Sequence, residues 1–193
     1  ILLTYGLGVY LYTAAEIGMC FWIPKFFEDV HGVPAAVSNP NATTFLGKVF
    51  PSLPAFVFAL FLGMQGMGRL LGGAVMKRFG TVQVMRFCSV MALVSVFVAM
   101  FGSTLVTAIG FAGCGLFTSV LYPLLFSGTI NSFEGYHGTI SGLLCTAYIA
   151  AAVVPPLQGW IGDHIGMRVA MLVPALCMIY VVGLTLFGRA KYD

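Results

Sequence analysis

Between Arg86 and Glu134 the chain runs through residues 87–133 without one Asp, Glu, Lys or Arg. A single helix of that length would be about 70 Å long, more than twice the hydrocarbon thickness of a bilayer, about 30 Å. The run therefore has to fold back on itself, and Gly102-Ser103-Thr104 supplies a turn near its middle. Shorter uncharged stretches flank it at 1–15, 49–68, 135–162 and 169–188, and after Glu16 the first of them stays apolar to Ile23. A membrane-crossing helix needs about 20 mostly apolar residues. The spacing predicts six crossings, near 1–24, 53–76, 83–101, 104–130, 138–160 and 168–188, in a single bundle with one long loop over 25–52.

Composition excludes the main alternatives. Only 8% of the residues are charged and 60% are hydrophobic, whereas a soluble domain carries about 25% charged residues. The same apolar content excludes a disordered chain. A net charge of +3 without a clustered basic stripe argues against a nucleic-acid partner. Runs such as Leu53 to Leu62 do not alternate in polarity, so a porin-like barrel is not expected. The five cysteines lie singly in separate apolar segments, and no Cys-x-x-Cys pair points to a metal or redox site. Neither a metal nor a cofactor is expected.

Orientation follows from the basic residues in short loops. Lys77, Arg78, Arg86, Arg189 and Lys191 fall on one side of a six-crossing chain, and Lys25, Lys48 and Arg168 on the other. The expectation is an integral protein of a plasma or bacterial inner membrane, with both termini cytoplasmic and the 25–52 loop outside. That loop carries Asn41-Ala42-Thr43, a glycosylation-type triplet in a eukaryotic host.

Two passages share a spacing. Gly73, Lys77 and Gly80 read Gly-x-x-x-charged-x-x-Gly, and so do Gly159, Asp163 and Gly166, with Arg78 and Arg168 close by. They lie 86 residues apart, close to half the chain. Each is expected to close a long helix, since glycine permits a left-handed cap. The chain then divides into two three-helix units. An odd number of crossings inverts the second unit relative to the first, a construction known in secondary transporters. Gly68/Gly72, Gly138/Gly142 and Gly162/Gly166 have the four-residue spacing that lets helices approach closely.

Gly68-Arg69-Leu70-Leu71-Gly72-Gly73, continuing to Lys77-Arg78-Phe79-Gly80, resembles the signature loop of the major facilitator superfamily. Leu121-Tyr122-Pro123, Gly138-Thr139-Ile140-Ser141-Gly142, Pro155-Pro156-Leu157-Gln158-Gly159 and Asp163-His164-Ile165-Gly166 resemble helices ten to twelve of that family. Tyr12-Thr13-Ala14-Ala15-Glu16-Ile17-Gly18 resembles the seventh helix of its fucose and glucose–galactose symporter branch. The resemblance covers nearly the whole chain. It implies an all-α membrane fold, the C-terminal six-helix half of a twelve-helix carrier built from inverted three-helix repeats. It also implies a small solute, a sugar, with a proton or sodium as coupling ion. The missing N-terminal half, or a second copy, would be a partner beside the lipid. The aspartate usual in the signature loop is Lys77 here, which keeps the turn and reverses the charge.

Polar groups at mid-depth in a bundle are costly unless they meet partners or water, so they mark a candidate site. Tyr5, Tyr12 and Glu16 share one face of the first helix by seven- and four-residue steps. Gln65 and Arg69 share a face of the second. Ser119 and Tyr122 lie on the fourth, and Thr146 and Tyr148 on the fifth. Hydroxyls and amides flanked by aromatic rings suit a polyol. Glu16 reads either as a solute- or proton-binding acid or as a structural acid held by hydroxyls. Counting at 1.5 Å per residue puts Glu16 about 12 Å and Arg69 about 24 Å below the outer edge. That makes Gln65 the nearer neighbour and Arg69 a structural residue of the inner end. Pro155-Pro156, after Ala150-Ala151-Ala152, offers a bend in the fifth helix. The reading is a secondary transporter and not an enzyme, for no nucleotide-binding loop or catalytic pair is present. A six-helix channel or passive facilitator acting as an oligomer is the alternative.

Overall fold

A computed structural model describes residues 2–34, 52–133 and 135–188, and the backbone alone at Ala151. The Asn41 triplet, Lys48, Arg189 and Lys191 lie outside the described residues. Among the described residues six helical stretches are long and apolar enough to cross a membrane. No strand occurs among the described residues. The chain is an integral membrane protein.

Three crossings are continuous helices: α1 (Leu2–His31), α2 (Leu53–Phe79) and α3 (Thr81–Phe101). The fourth is α4 (Thr104–Thr118) followed by α5 (Leu121–Asn131). The fifth is α6 (His137–Cys145), a 3-10 turn over Thr146–Ile149, and α7 (Ala150–Ile165). The sixth is α8 (Met167–Ala170) and α9 (Leu172–Phe187).

The interruptions of the fourth and sixth crossings have local causes. Pro123 cannot donate to the Ser119 carbonyl. The Thr118 and Ser119 hydroxyls turn back onto the Cys114 and Leu116 carbonyls, at 2.7 and 2.6 Å, a habit that loosens helices. In the sixth crossing Pro174 leaves the Ala170 carbonyl without its helical donor, and the Gln158 amide takes it at 3.4 Å. The Ser52 hydroxyl caps α2 by accepting the Ala55 N–H at 3.3 Å.

Helix ends differ from the sequence expectation in an instructive way. The first helix runs to His31 rather than stopping at Pro24. Pro24 removes only one donor, and the following Lys25 is held by Asp29 at 3.0 Å and Glu28 at 3.8 Å on the same helix. Gly73 and Gly159 are interior to helices and cap neither. The caps are Gly80 and Gly166, with φ of +84° and +116°, a region that favours glycine.

Consecutive crossings alternate in direction, as contacts at the two ends require. His31 Nε2 and Thr107 Oγ1 meet at 3.0 Å at one end. Arg86 Nε donates to the Thr185 carbonyl at 3.2 Å at the other. The centre of the bundle is α1 against the fourth and sixth crossings, with Phe26, Phe27 and Phe111 buried against one another. Small residues set the closest approaches. A Cβ at Gly110 would lie 2.5 Å from the Ala99 nitrogen on α3, and one at Gly68 would lie 2.7 Å from the Leu116 carbonyl on α4. Gly138 and Gly142 meet nothing within 4 Å among the described residues.

Candidate functional site

Glu16 stands at the middle of α1, a helix of 30 residues. Measured from the end that carries His31 and Leu53, Glu16 lies about 22 Å down, Gln65 about 18 Å and Arg69 about 24 Å. The antiparallel helices thus bring the acid between the levels of the amide and the guanidinium. Gln65 Nε2 donates to Glu16 Oε1. Arg69 reaches the same oxygen at 3.8 Å, beyond hydrogen-bond distance, with its side chain 56% exposed. The expectation that Arg69 sits too deep to meet Glu16 is therefore corrected. It fails because it ends the first helix at Pro24, which places Glu16 too near the edge. The arrangement is two i,i+4 pairs face to face: Tyr12 and Glu16 on α1, Gln65 and Arg69 on α2.

A row of tyrosines starts one turn from the acid. Tyr12 is fully buried, and its hydroxyl donates to the Thr118 carbonyl at 2.7 Å, beside the break in the fourth crossing. Its ring centre lies 6.1 Å from that of Tyr122 on α5. Tyr122 in turn lies 6.0 Å from Tyr148 in the 3-10 turn and 5.7 Å from Phe126. Tyr148 is 55% exposed, so the row runs from the core to an open face.

The other expected residues are placed differently. Ser119 is buried, with its hydroxyl on its own helix, and it lines an apolar groove between α2, α3 and α4. Thr146 is exposed and donates to the Leu143 carbonyl at 2.6 Å. Gly73, Lys77 and Arg78 lie toward the end of α2, where the Arg78 guanidinium lies over the Phe79 ring. Gly159 packs under the Trp22 ring, while Asp163 and Arg168 are exposed at either side of the Gly166 cap.

Two features escaped the sequence reading. Gln158 is fully buried and its Oε1 has no hydrogen-bond partner among the described residues. It faces Gly18, where a Cβ would lie 3.1 Å from the carboxamide carbon. The signal for its other end was Pro174, which frees the Ala170 carbonyl. Trp22 Nε1 donates to the Pro155 carbonyl at 3.0 Å, which pins the expected bend of the fifth crossing to α1. The irregular turn lies about two turns earlier, at Thr146–Ile149.

Chemically, the cluster presents a carboxylate and a partly exposed guanidinium beside flat aromatic faces. That set can both accept from and donate to hydroxyl groups. Among the described residues no group of three or more His, Cys, Asp or Glu gathers.

No protein-family model matches the chain. It is 26% identical over 183 residues to a glucose/galactose transporter of Brucella abortus (strain 9-941), covering 95% of this chain and 41% of that protein. It is 22% identical to a putative glucose/galactose transporter of Helicobacter pylori (strain J99), covering 97% and 44%. Over 112 residues it is 28% identical to the L-fucose-proton symporter of Escherichia coli (strain K12), covering 58% and 26%. In structure it is similar to the major facilitator superfamily transporter FucP in its outward conformation, at a TM-score of 0.80 and 20% identity, covering 98% of this chain and 42% of that one. A second structure, of a point variant of the Escherichia coli fucose:proton symporter FucP, gives a TM-score of 0.81 at 20% identity. The fold is thus that of part of a major facilitator superfamily transporter. The chain spans less than half the length of the curated relatives it matches.

Proposed function

We propose that this chain is one six-helix half of a secondary transporter of the major facilitator type, moving a small polar solute, a sugar, by alternating access. The observation that carries the reading is Glu16 at the middle of α1, held by Gln65 and approached by a partly exposed Arg69. Ionisable groups at that depth face a partner or a water-filled path. The tyrosine row that ends at exposed Tyr148 supplies apolar faces for a sugar ring beside those polar groups. The likeness to glucose/galactose transporters and a fucose-proton symporter supports a sugar as solute and a proton as coupling ion. Glu16 then binds solute hydroxyls or carries the proton. No chemical step is assigned to the chain.

Several finer points belong to the same proposal. Gly80 and Gly166 cap the second and fifth crossings with positive φ, 86 residues apart, which supports two inverted three-helix repeats. Rotating the first three crossings by a half-turn in the membrane plane should lay α2 on the fifth crossing. Lys77, Arg78 and Arg86 at one end support a cytoplasmic location for that end, in a plasma or bacterial inner membrane with both termini inside. A six-helix half exposes Arg69 and Tyr148 unless another half or a second copy covers them.

Reconstitution tests this. The full-length protein in vesicles should take up labelled sugar, and the 193-residue chain alone at monomeric dilution should not. Uptake by the isolated chain, or none by the full-length protein for any glucose-, galactose- or fucose-like sugar, would contradict the proposal.

A further inference from the structure

Helices α2 and α3 are joined by the tight turn at Gly80, yet each makes far more contact with α4 than with the other. Gly68 and Gly72 seat α2 on the fourth crossing, and Gly110 seats α4 on α3. Between α2 and α3 this leaves a groove of about 530 Å³. Leu71, Val75 and Phe79 form one wall, Val84 and Phe87 the other, and Val120 lies in the floor. From Gly68 to Phe79 the groove follows α2 for about 16 Å, close to the depth of one leaflet of a hydrocarbon core about 30 Å thick.

Its end at the turn has a different character. Leu71, Val75 and Phe79 follow the four-residue steps of one helix face and line the groove to its end. Arg78 is not itself a lining residue but stands next to Phe79. Its guanidinium lies over the ring of Phe79, 5.6 Å from the centre. Arg78 forms no ion pair with an acidic side chain among the described residues. Gln83 lies at the same end of the groove. Arg86 does not contribute, because it is turned to the Thr185 and Leu186 carbonyls of α9. α3 starts at Gly80 without a side-chain cap and with no acid in its first turn.

We propose that this groove binds an anionic phospholipid of the surrounding bilayer, with one acyl chain along α2 and the headgroup phosphate on Arg78. The groove is apolar over one leaflet's depth, and a cation stands beside its end at the interhelical turn, over the ring of the lining residue Phe79. A phospholipid has the complementary order, an apolar chain ending in an anion at the membrane surface. A planar guanidinium suits the phosphate because two of its N–H groups can donate to two phosphate oxygens. The site lies on α2, α3 and α4, apart from the Glu16 cluster, and does not depend on which solute is carried.

Native mass spectrometry of the delipidated full-length protein tests this, using phosphatidylglycerol and phosphatidylcholine with identical acyl chains. The wild type should retain phosphatidylglycerol preferentially. Arg78→Gln should lower that retention about fivefold, the worth of one basic residue near an anionic surface, and leave phosphatidylcholine unchanged. Arg78→Lys should keep most of the preference, which separates lost charge from misfolding. Val75→Trp, which fills the groove from an exposed position, should lower retention of both lipids. Equal retention of the two lipids by the wild type, or no response to Arg78→Gln and Val75→Trp, would overturn the proposal. So would cross-linking of Val75→Cys in membranes to another protein segment or a second copy instead of to a photoactivatable phospholipid.

Discussion

Gln65 donates its side-chain amide to the carboxylate of Glu16, and Arg69, one turn further along α2, ends 3.8 Å from the same oxygen. The amide makes the direct bond and the cation stays at a distance, more than half exposed. A guanidinium has five donors and no acceptor, so most of the Arg69 donors remain for other groups. The cluster therefore combines a fixed acid with a cation that has donors to spare.

Removing the amide should loosen the acid. A hydrogen bond to a charged group contributes about 1.5–3 kcal/mol. In the full-length protein, Gln65→Leu is expected to weaken equilibrium sugar binding by about tenfold or more, while Gln65→Asn, which retains a shorter amide, loses less. Binding of labelled sugar to purified protein checks this, and equal affinities for wild type and Gln65→Leu would refute it.

The contact between Gly18 and Gln158 gives a stability prediction. A methyl group at Gly18 collides with the Gln158 carboxamide, and such overpacking costs about 1–3 kcal/mol. Gly18→Ala should lower the thermal unfolding temperature in detergent. Shortening the opposing side chain with Gln158→Ala should recover part of that loss, so the double variant is more stable than the sum of the two single effects implies. Strict additivity would show that the two residues do not press on each other.

A matched pair of glycines separates helix contact from helix propensity. At Gly110 a Cβ would lie 2.5 Å from the Ala99 nitrogen, whereas at Gly63 it meets nothing within 4 Å among the described residues. Gly110→Ala should destabilise by forcing α3 and α4 apart. Gly63→Ala should be neutral or stabilise by up to about 1 kcal/mol, since glycine is a poor helix former. Thermal unfolding of the two variants side by side reads the difference.

Legibility in the sequence followed the range of each interaction. The six crossings could be counted from charge gaps such as 87–133 because burying an ion in lipid is costly wherever it falls. The shared face of Tyr12 and Glu16 followed from helical periodicity alone. The Arg69 contact was missed because it depends on where α1 ends, and the expected crossing stopped at residue 24, before the charges that begin at Lys25. The bond of the Ser119 hydroxyl to the Leu116 carbonyl was not legible, because residue type alone does not say whether a serine turns back onto its own backbone. The partner of the Gln158 amide is a carbonyl on a different crossing, freed by Pro174. The groove beside Val75 arises from how α2 and α3 are seated on α4, which no single segment encodes.

The proposed function turns on Glu16 taking part in solute or proton binding, and Glu16→Gln in the full-length protein probes that role without an intermediary. Sugar binding, exchange and uphill uptake driven by a pH gradient should be measured on the same reconstituted preparation. If Glu16 accepts hydrogen bonds from solute, the substitution weakens binding with little change in pH dependence. If Glu16 carries the proton, uphill uptake is lost and exchange survives. Wild-type values in all three assays would contradict both roles and leave Glu16 as a structural acid held by Gln65.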